Sequence, residues 1–270
     1  MATATQTSGR DLGAELGLTG LTCLVTGATR GIGEAVALGL ARLGMNIVAL
    51  GRDTERLDAL ARRAAQEGLA LLPTPADITS EPQVTAAVEA GAAKFGRVDA
   101  AFVNAGVAVV EPALEVSAED FARVVDVNLT GSFITARAVA RAICAGGPSA
   151  GGGAKGAIVF TSSTFADTAE PAWSSYCASK AGVSMLARVL AVEWAKIGIR
   201  VNAVAPTATL TEQNRDLFAD DAFRAAVTSR IPVGRLLERE ELILPVAFLL
   251  SPRNPMLTGQ TLFVDGGWTL

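Results

Sequence analysis

Histidine is absent from the 270 residues of this chain, and tyrosine occurs once, at Tyr176. The commonest side chain for proton transfer near neutrality is therefore unavailable, and any acid/base chemistry must use another residue type. Charge is sparse: 19% of residues are charged and the net charge is −4, which leaves no basic footprint for nucleic acid. Half of the residues are hydrophobic, yet no apolar run approaches the ~20 residues of a spanning helix, so no membrane segment is expected. The three cysteines, Cys23, Cys144 and Cys177, sit in apolar or helical contexts and are expected to be buried free thiols, which suits a reducing, cytoplasmic location. Residues 1–17 lack a basic segment followed by an apolar one, so no signal peptide is expected there. Their polar, small-residue composition predicts a loosely held extension. No linker-like stretch divides the remainder, so residues 18–270 read as one domain with a substantial core.

The lone tyrosine stands four residues before a lysine, in Ser175-Tyr176-Cys177-Ala178-Ser179-Lys180. That spacing puts a phenol and an ammonium on one helix face. A nearby ammonium favours the phenolate, so the pair reads as a proton donor and acceptor with its tuner. A packed aromatic beside a surface lysine is the plainer reading of the same two residues.

A second pattern lies near the N-terminus. The apolar run Leu21–Val25 leads into Thr26-Gly27-Ala28-Thr29-Arg30-Gly31-Ile32-Gly33, and an apolar stretch of helical period follows from Glu34 to Gly44. Strand, glycine turn, helix is the context a dinucleotide site requires: glycines let the backbone approach a pyrophosphate, and the helix N-terminus offers free N–H groups to it. No Gly-Lys-Ser/Thr follows, so the sequence does not read as a P-loop.

Short apolar runs alternate with helical patterns along the chain. Strands are predicted at Leu21–Thr26, Asn46–Gly51, Leu69–Thr74, Val98–Asn104, Ala157–Thr161, Ile199–Ala205 and Thr261–Val264, with helices near 32–44, 54–67, 82–95, 117–144, 175–197 and 239–250. This predicts an α/β fold: a Rossmann-type, doubly wound parallel sheet of about seven strands with helices on both faces. Gly27, Arg52, Asn104, Ser163 and Pro206 all fall at or just after predicted strand ends, where such sheets bind ligands. The glycine-rich stretch Gly146–Gly153 reads as a surface loop.

Together these residues resemble the short-chain dehydrogenase/reductase family. Thr26-Gly27-xxx-Gly31-x-Gly33 is similar to its nucleotide turn and Tyr176-xxx-Lys180 to its catalytic signature. Val103-Asn104-Ala105-Gly106, Asn128, Ser163 and Asp265-Gly266-Gly267 match further family motifs in order and spacing. The likeness runs from about Leu18 to the C-terminus, and Gly234-Arg235 with Thr258-Gly259-Gln260 points to ketoacyl-reductase-like members. Each motif is weak alone; their joint spacing is highly specific.

The resemblance implies hydride transfer between a nicotinamide coenzyme and a carbonyl or secondary alcohol. Tyr176 would be the general acid/base, Lys180 would lower its pKa and hold the nicotinamide ribose, Ser163 would bond the substrate oxygen, and Asn128 would hold a water linking Lys180 to solvent. The coenzyme would lie along Gly27, Thr29, Arg30, Gly31, Ile32 and Gly33, with Arg52 at the 2′-phosphate, Asp77 and Ile78 at the adenine, Asn104, Ala105 and Gly106 as further contacts, and Pro206, Thr207, Thr209 and Thr211 towards the nicotinamide. Thr207 departs from the family, which usually has glycine after that proline. Phe165, Trp173 and Leu217 hint at an apolar substrate wall, and the stretch from Thr211 to Ile231 corresponds to the family's substrate loop. No metal is expected. Assembly into a homotetramer is implied, through the helices near 117–144 and 175–197 and through the last strand with Trp268 and Leu270.

The coenzyme expected is NADP(H), with NAD(H) possible. The end of the second strand carries Gly51 and Arg52 where an acid would favour NAD, and Arg30 lies within the glycine turn. Asp53 reads as a helix N-cap rather than a ribose ligand. A reductase of imines or activated double bonds, and a non-catalytic coenzyme-binding scaffold, are the alternatives on the same fold. Retention of the Ser-Tyr-Lys set favours carbonyl chemistry.

Overall fold

The structure, a computed structural model, describes residues 11–146, 155–212 and 214–270. Seven parallel strands form one sheet: β1 (Thr22–Thr26), β2 (Asn46–Gly51), β3 (Leu71–Pro75), β4 (Ala100–Val103), β5 (Gly156–Thr161), β6 (Ile199–Pro206) and, after a two-stranded ribbon of β7 (Thr209–Leu210) and β8 (Leu237–Glu238), β9 (Thr261–Val264). Their order across the sheet is β3-β2-β1-β4-β5-β6-β9. Every residue of β1, β4 and β6 is buried, as expected where helices cover both faces.

One face packs α2 (Gly31–Arg42), α3 (Thr54–Gln66) and α9 (Ile243–Leu250), through Val36, Leu40, Leu57, Leu60 and Val246, against Val25, Phe102 and Val159. The other packs α4 (Glu81–Phe95), α6 (Gly131–Ala145) and α7 (Ser174–Trp194), through Val88, Val139, Val183 and Leu190, against Leu24, Ile158 and Val201. Truncating one of these fully buried leucines to alanine should cost about 2–5 kcal/mol. Strand order reverses between β1 and β4, which pair through Val25 and Phe102, so the carboxyl ends of these strands open the crevice that such folds use for ligands.

The structure departs from the expected elements in places. The predicted extension 1–17 includes α1 (Leu12–Leu16), capped by the Asp11 side chain, with Leu16 packed on the core and its carbonyl accepting from Ser251 Oγ at 2.6 Å. Residues 1–10 lie outside the described residues, as do 147–154 of the glycine-rich loop. The helix predicted at 117–144 is broken into α5 (Ala118–Val125), a π turn at Asp126–Thr130, and α6. The wider turn leaves Asn128 free to bond other parts of the chain, and such turns often mark functional sites. Of the cysteines expected to be buried, Cys23 is, Cys177 is partly so, and Cys144 is exposed near the end of α6; all three are free thiols. Between β7 and β8 the chain forms a short turn, Leu217–Ala219, and α8 (Asp221–Thr228), with Phe218 and Phe223 rings 5.4 Å apart.

Candidate active site

The turn after β1 is shaped by close approach. Gly27 has φ of +66°, and a Cβ there would lie 2.9 Å from Ala105 Cα. A Cβ on Gly33 would lie 2.2 Å from the Gly27 carbonyl oxygen. The segment 27–33 and the loop after β4 are therefore held back to back, leaving a cradle that side chains would fill. Thr26 Oγ1 accepts hydrogen bonds from the backbone N–H of Asn104 and Ala105, at 2.9 and 3.0 Å. The Asn104 side chain donates to Thr26 O and accepts from Thr161 Oγ1, which ties the ends of β1, β4 and β5 together. Asn104, expected at the coenzyme, thus spends its amide on the frame of the site. Ile32 is partly buried against the core below, and Thr211 Cγ2 lies over Gly31.

Around the adenosine end, Gly51 is closed to any side chain as the structure stands, since a Cβ would meet Thr29 Cγ2 at 2.4 Å. Asp53 accepts from the Arg56 backbone N–H at 3.0 Å and is an N-cap, as the sequence suggested. Arg30 and Arg52 are exposed, and Arg52 pairs at 3.8 Å with Asp77. Hydrogen bonds from Thr79, its backbone N–H first, hold the Asp77 carboxyl below the usual carboxylate range. Ile78 is buried against Gly131.

Ser163, Tyr176 and Lys180 converge beyond the end of β5. Ser163 opens the short turn after β5, and its Oγ accepts from the Phe165 N–H at 3.1 Å. Tyr176 is partly buried and Lys180 is buried on the same face of α7. Lys180 Nζ lies 5.6 Å from the centre of the phenol ring and donates to the Thr161 carbonyl at 2.7 Å. Burial lowers the Lys180 pKa from 10.5 to about 8. The sequence led us to expect that Lys180 would depress the phenol. Instead burial raises the Tyr176 pKa, with a hydrogen bond to Ser163 opposing the rise. The physical reason is that the ammonium is aimed at Thr161 and is itself disfavoured by the same dry surroundings.

Asn128 bonds two separate parts of the chain. Its amide donates to Val107 O at 2.9 Å and Ser179 Oγ at 3.0 Å, and its Oδ1 accepts from the Val107 N–H at 2.8 Å. These bonds pin the loop after β4 to α7. Gly106 lies within that pinned loop, and a Cβ on it would approach Asn128 Oδ1 and Lys180 Nζ.

The loop after β6 accepts Thr207 without strain, since among the described residues only Ala172 is a non-glycine with positive φ. Thr207 and Thr209 are buried, and Thr209 Oγ1 donates to Thr207 O at 2.8 Å. Among the described residues Thr207 Oγ1 has no partner. Asn214 accepts from the Thr211 N–H and donates to Thr209 O, fixing the path of this loop after Pro206. The Leu217 side chain lies outside the described residues.

Sequence reasoning named Phe165 and Trp173 but missed their neighbours. Phe165 lies 5.4 Å from Trp173, 6.4 Å from Tyr176 and 6.2 Å from Trp268, centre to centre. Trp268, expected at a subunit interface, stands in this cluster because Gly266 and Gly267 turn the chain back after β9. The signal was present: Trp268 directly follows the Asp265-Gly266-Gly267 motif. Ser179 and Ser162 were also missed. Ser162 Oγ is 2.7 Å from Ser184 Oγ and donates to Lys180 O, locking α7 to β5.

The residues present fit a nicotinamide dinucleotide: a glycine cradle beside a helix N-terminus, a buried lysine, and an unpartnered hydroxyl on Thr207. Comparison with known proteins agrees. A family model described as enoyl-(acyl carrier protein) reductase matches residues 27–269. 3β-Hydroxysteroid dehydrogenase 1 of Eggerthella lenta is 40% identical over 255 residues, covering 94% of this chain and 95% of that protein. A gluconate 5-dehydrogenase of Burkholderia cenocepacia, solved with NADP and tartrate, superposes with a TM-score of 0.86 at 37% identity, over 93% of this chain and 96% of that one. A 3-ketoacyl-(acyl-carrier-protein) reductase of Brucella melitensis, solved with NADH, gives 0.84 at 36% identity, over 94% of this chain and all of that one. The chain belongs to the short-chain dehydrogenase/reductase family.

Proposed function

We propose that this enzyme transfers a hydride between NADP(H) and a carbonyl or secondary alcohol, with Tyr176 as the acid/base. The observation that carries the reading is the convergence of Ser163, Tyr176 and Lys180 beside the glycine cradle, all beyond the carboxyl ends of the strands. A bound nicotinamide coenzyme supplies or accepts the hydride at the substrate carbon. Gly27, Thr29, Arg30, Gly31, Ile32 and Gly33 would hold its phosphates, Thr207, Thr209 and Thr211 its carboxamide end, and Lys180 its ribose. In reduction, Tyr176 gives its proton to the substrate oxygen, and in oxidation it takes that proton back. A phenol is protonated at neutral pH, and burial keeps Tyr176 so, which leaves it ready to donate in the reduction direction. Ser163 hydrogen-bonds the same oxygen and stabilises charge as it develops there. Asn128 acts as a positioning residue, fixing the loop after β4 against α7.

NADP(H) is favoured over NAD(H) by Arg30, Arg52 and the closed position at Gly51. Solved relatives carry NADP or NADH. The test is a panel of carbonyls and alcohols followed by nicotinamide absorbance with both coenzymes; turnover of imines or enones alone would overturn the carbonyl reading.

We also infer a homotetramer. Met185, Val189 and Val192 are exposed on α7, Leu244 and Phe248 on α9, and β9 is an edge strand with Leu262 exposed. Ala136 and Ala140 of α6 are buried in the core and do not contribute to that outer surface. Light scattering coupled to size exclusion tests this, and a 27.7 kDa species would contradict it.

A further inference from the structure

The catalytic phenol stands against an aromatic wall built from three separate parts of the chain. Phe165 comes from the turn after β5, Trp173 from the residue before α7, and Trp268 from the tail after β9. Trp173 lies 5.4 Å from both Phe165 and Tyr176, and Trp268 lies 6.2 Å from Phe165. All four rings remain partly exposed, so the wall presents free surface next to the reacting hydroxyl.

The wall is held at a cost. Trp173 is projected by the turn Glu170–Trp173, closed by its N–H donating to Glu170 O at 3.3 Å. The turn has Pro171 and Ala172 at its centre, and Ala172 has φ of +68°, a conformation that normally selects glycine. Two ties keep it there. The Ala172 carbonyl accepts from the Glu111 N–H at 2.9 Å, and the Glu170 carboxylate pairs with Arg230 at 2.8 Å. The Arg230 guanidinium carbon lies over Trp268, 4.1 Å from the ring centre. The guanidinium beside the wall is thus already neutralised by Glu170 and stacked on an aromatic face. A substrate carboxylate would have to compete with that pairing.

Resting on the oxidoreductase reading above, we propose that the substrate is an uncharged alicyclic or aryl ketone, or its alcohol, whose ring skeleton lies on Phe165, Trp173 and Trp268 while its oxygen reaches Tyr176 and Ser163. Flat hydrocarbon against aromatic faces gains both area burial and ring-contact energy. A sugar acid gains neither here, and its carboxylate would face a guanidinium already paired.

The test compares 2-tetralone and trans-1-decalone with 5-keto-D-gluconate and with butane-2,3-dione, a small reactive ketone, using the native enzyme and Trp173→Ala, Trp173→Phe and Trp268→Leu. The expected kcat/KM is about tenfold or more higher for the bicyclic ketones than for the sugar acid. Trp173→Ala and Trp268→Leu should each raise KM for the bicyclic ketones about tenfold, Trp173→Phe should restore most of the loss, and the losses with butane-2,3-dione should be severalfold smaller. Quenching of tryptophan fluorescence by 2-tetralone should weaken in parallel in Trp268→Leu. NADPH binding within a few-fold of native shows that each variant is folded. Preference for the sugar acid, or equal losses for large and small ketones, overturns this inference and leaves the oxidoreductase reading standing. Turnover of none of the four overturns both.

Discussion

Lys180 lies one helical turn from Tyr176, with Nζ 5.6 Å from the phenol centre, yet its hydrogen bond goes to the Thr161 carbonyl at 2.7 Å. The lysine is buried without a carboxylate partner among the described residues, and its pKa falls from 10.5 to about 8. The consequence for stability has a definite sign. Below pH 8 both folded and unfolded chains hold the proton, and the folded state carries the full cost of a buried charge. Between pH 8 and 10.5 the unfolded chain binds more protons, so this contribution rises with pH. Lys180→Met should therefore be more stable than native by up to about 3 kcal/mol below pH 8, with the gap closing towards pH 10.5. Urea denaturation of both proteins across that range measures it. The comparison cancels the opposite trend from Cys23, whose thiol is pushed up to about 12 by burial and so loses stability as the unfolded thiol ionises above 9. A gap that does not change with pH would contradict the assignment.

Coenzyme choice should follow from Gly51 and Arg52. Native enzyme is expected to show higher kcat/KM with NADP(H) than with NAD(H). Arg52→Ala should raise KM for NADP(H) about 10–100-fold, the loss of one or more charge-assisted hydrogen bonds, and leave NAD(H) nearly unchanged. Gly51→Asp alone should weaken both coenzymes, because its Cβ meets Thr29 Cγ2 at 2.4 Å. Gly51→Asp with Thr29→Ser, which removes that methyl, should favour NAD(H). Equal native use of both coenzymes would show that the arginines do not read the 2′-phosphate.

Thr207 offers a separate test of the proposed coenzyme site. Its buried hydroxyl lacks a partner among the described residues. Thr207→Val should leave the free enzyme as stable or slightly more so, because it removes an unsatisfied polar atom, and should weaken coenzyme binding about 2–10-fold. Calorimetric titration with NADP+ reads the second effect. Unchanged affinity would mean that the hydroxyl meets no coenzyme group.

The sheet was legible in the sequence because buried parallel strands are short, largely apolar runs, and Ile47–Leu50 reads as such. The π turn at Asn128 was not, since its cause is a set of bonds to Val107 and Ser179, remote in sequence. The Tyr176–Lys180 spacing was legible, but the aim of the lysine depends on where β5 ends. The aromatic wall could be read only in part. Phe165 and Trp173 flank the motif, whereas Trp268 reaches it through a turn some ninety residues of chain away from Tyr176, and the left-handed Ala172 has no signal beyond the preceding proline.

The central claim is that Tyr176 is the proton donor, and Tyr176→Phe tests it most directly. The substitution removes one hydroxyl from a ring that otherwise keeps its contacts with Phe165 and Trp173. Measured at neutral pH with NADPH and a ketone that the native enzyme reduces, kcat should fall about 10²–10⁴-fold. NADPH affinity, read by fluorescence titration, should stay within a few-fold of native. A variant that binds NADPH normally and keeps kcat within threefold of native would contradict the assignment.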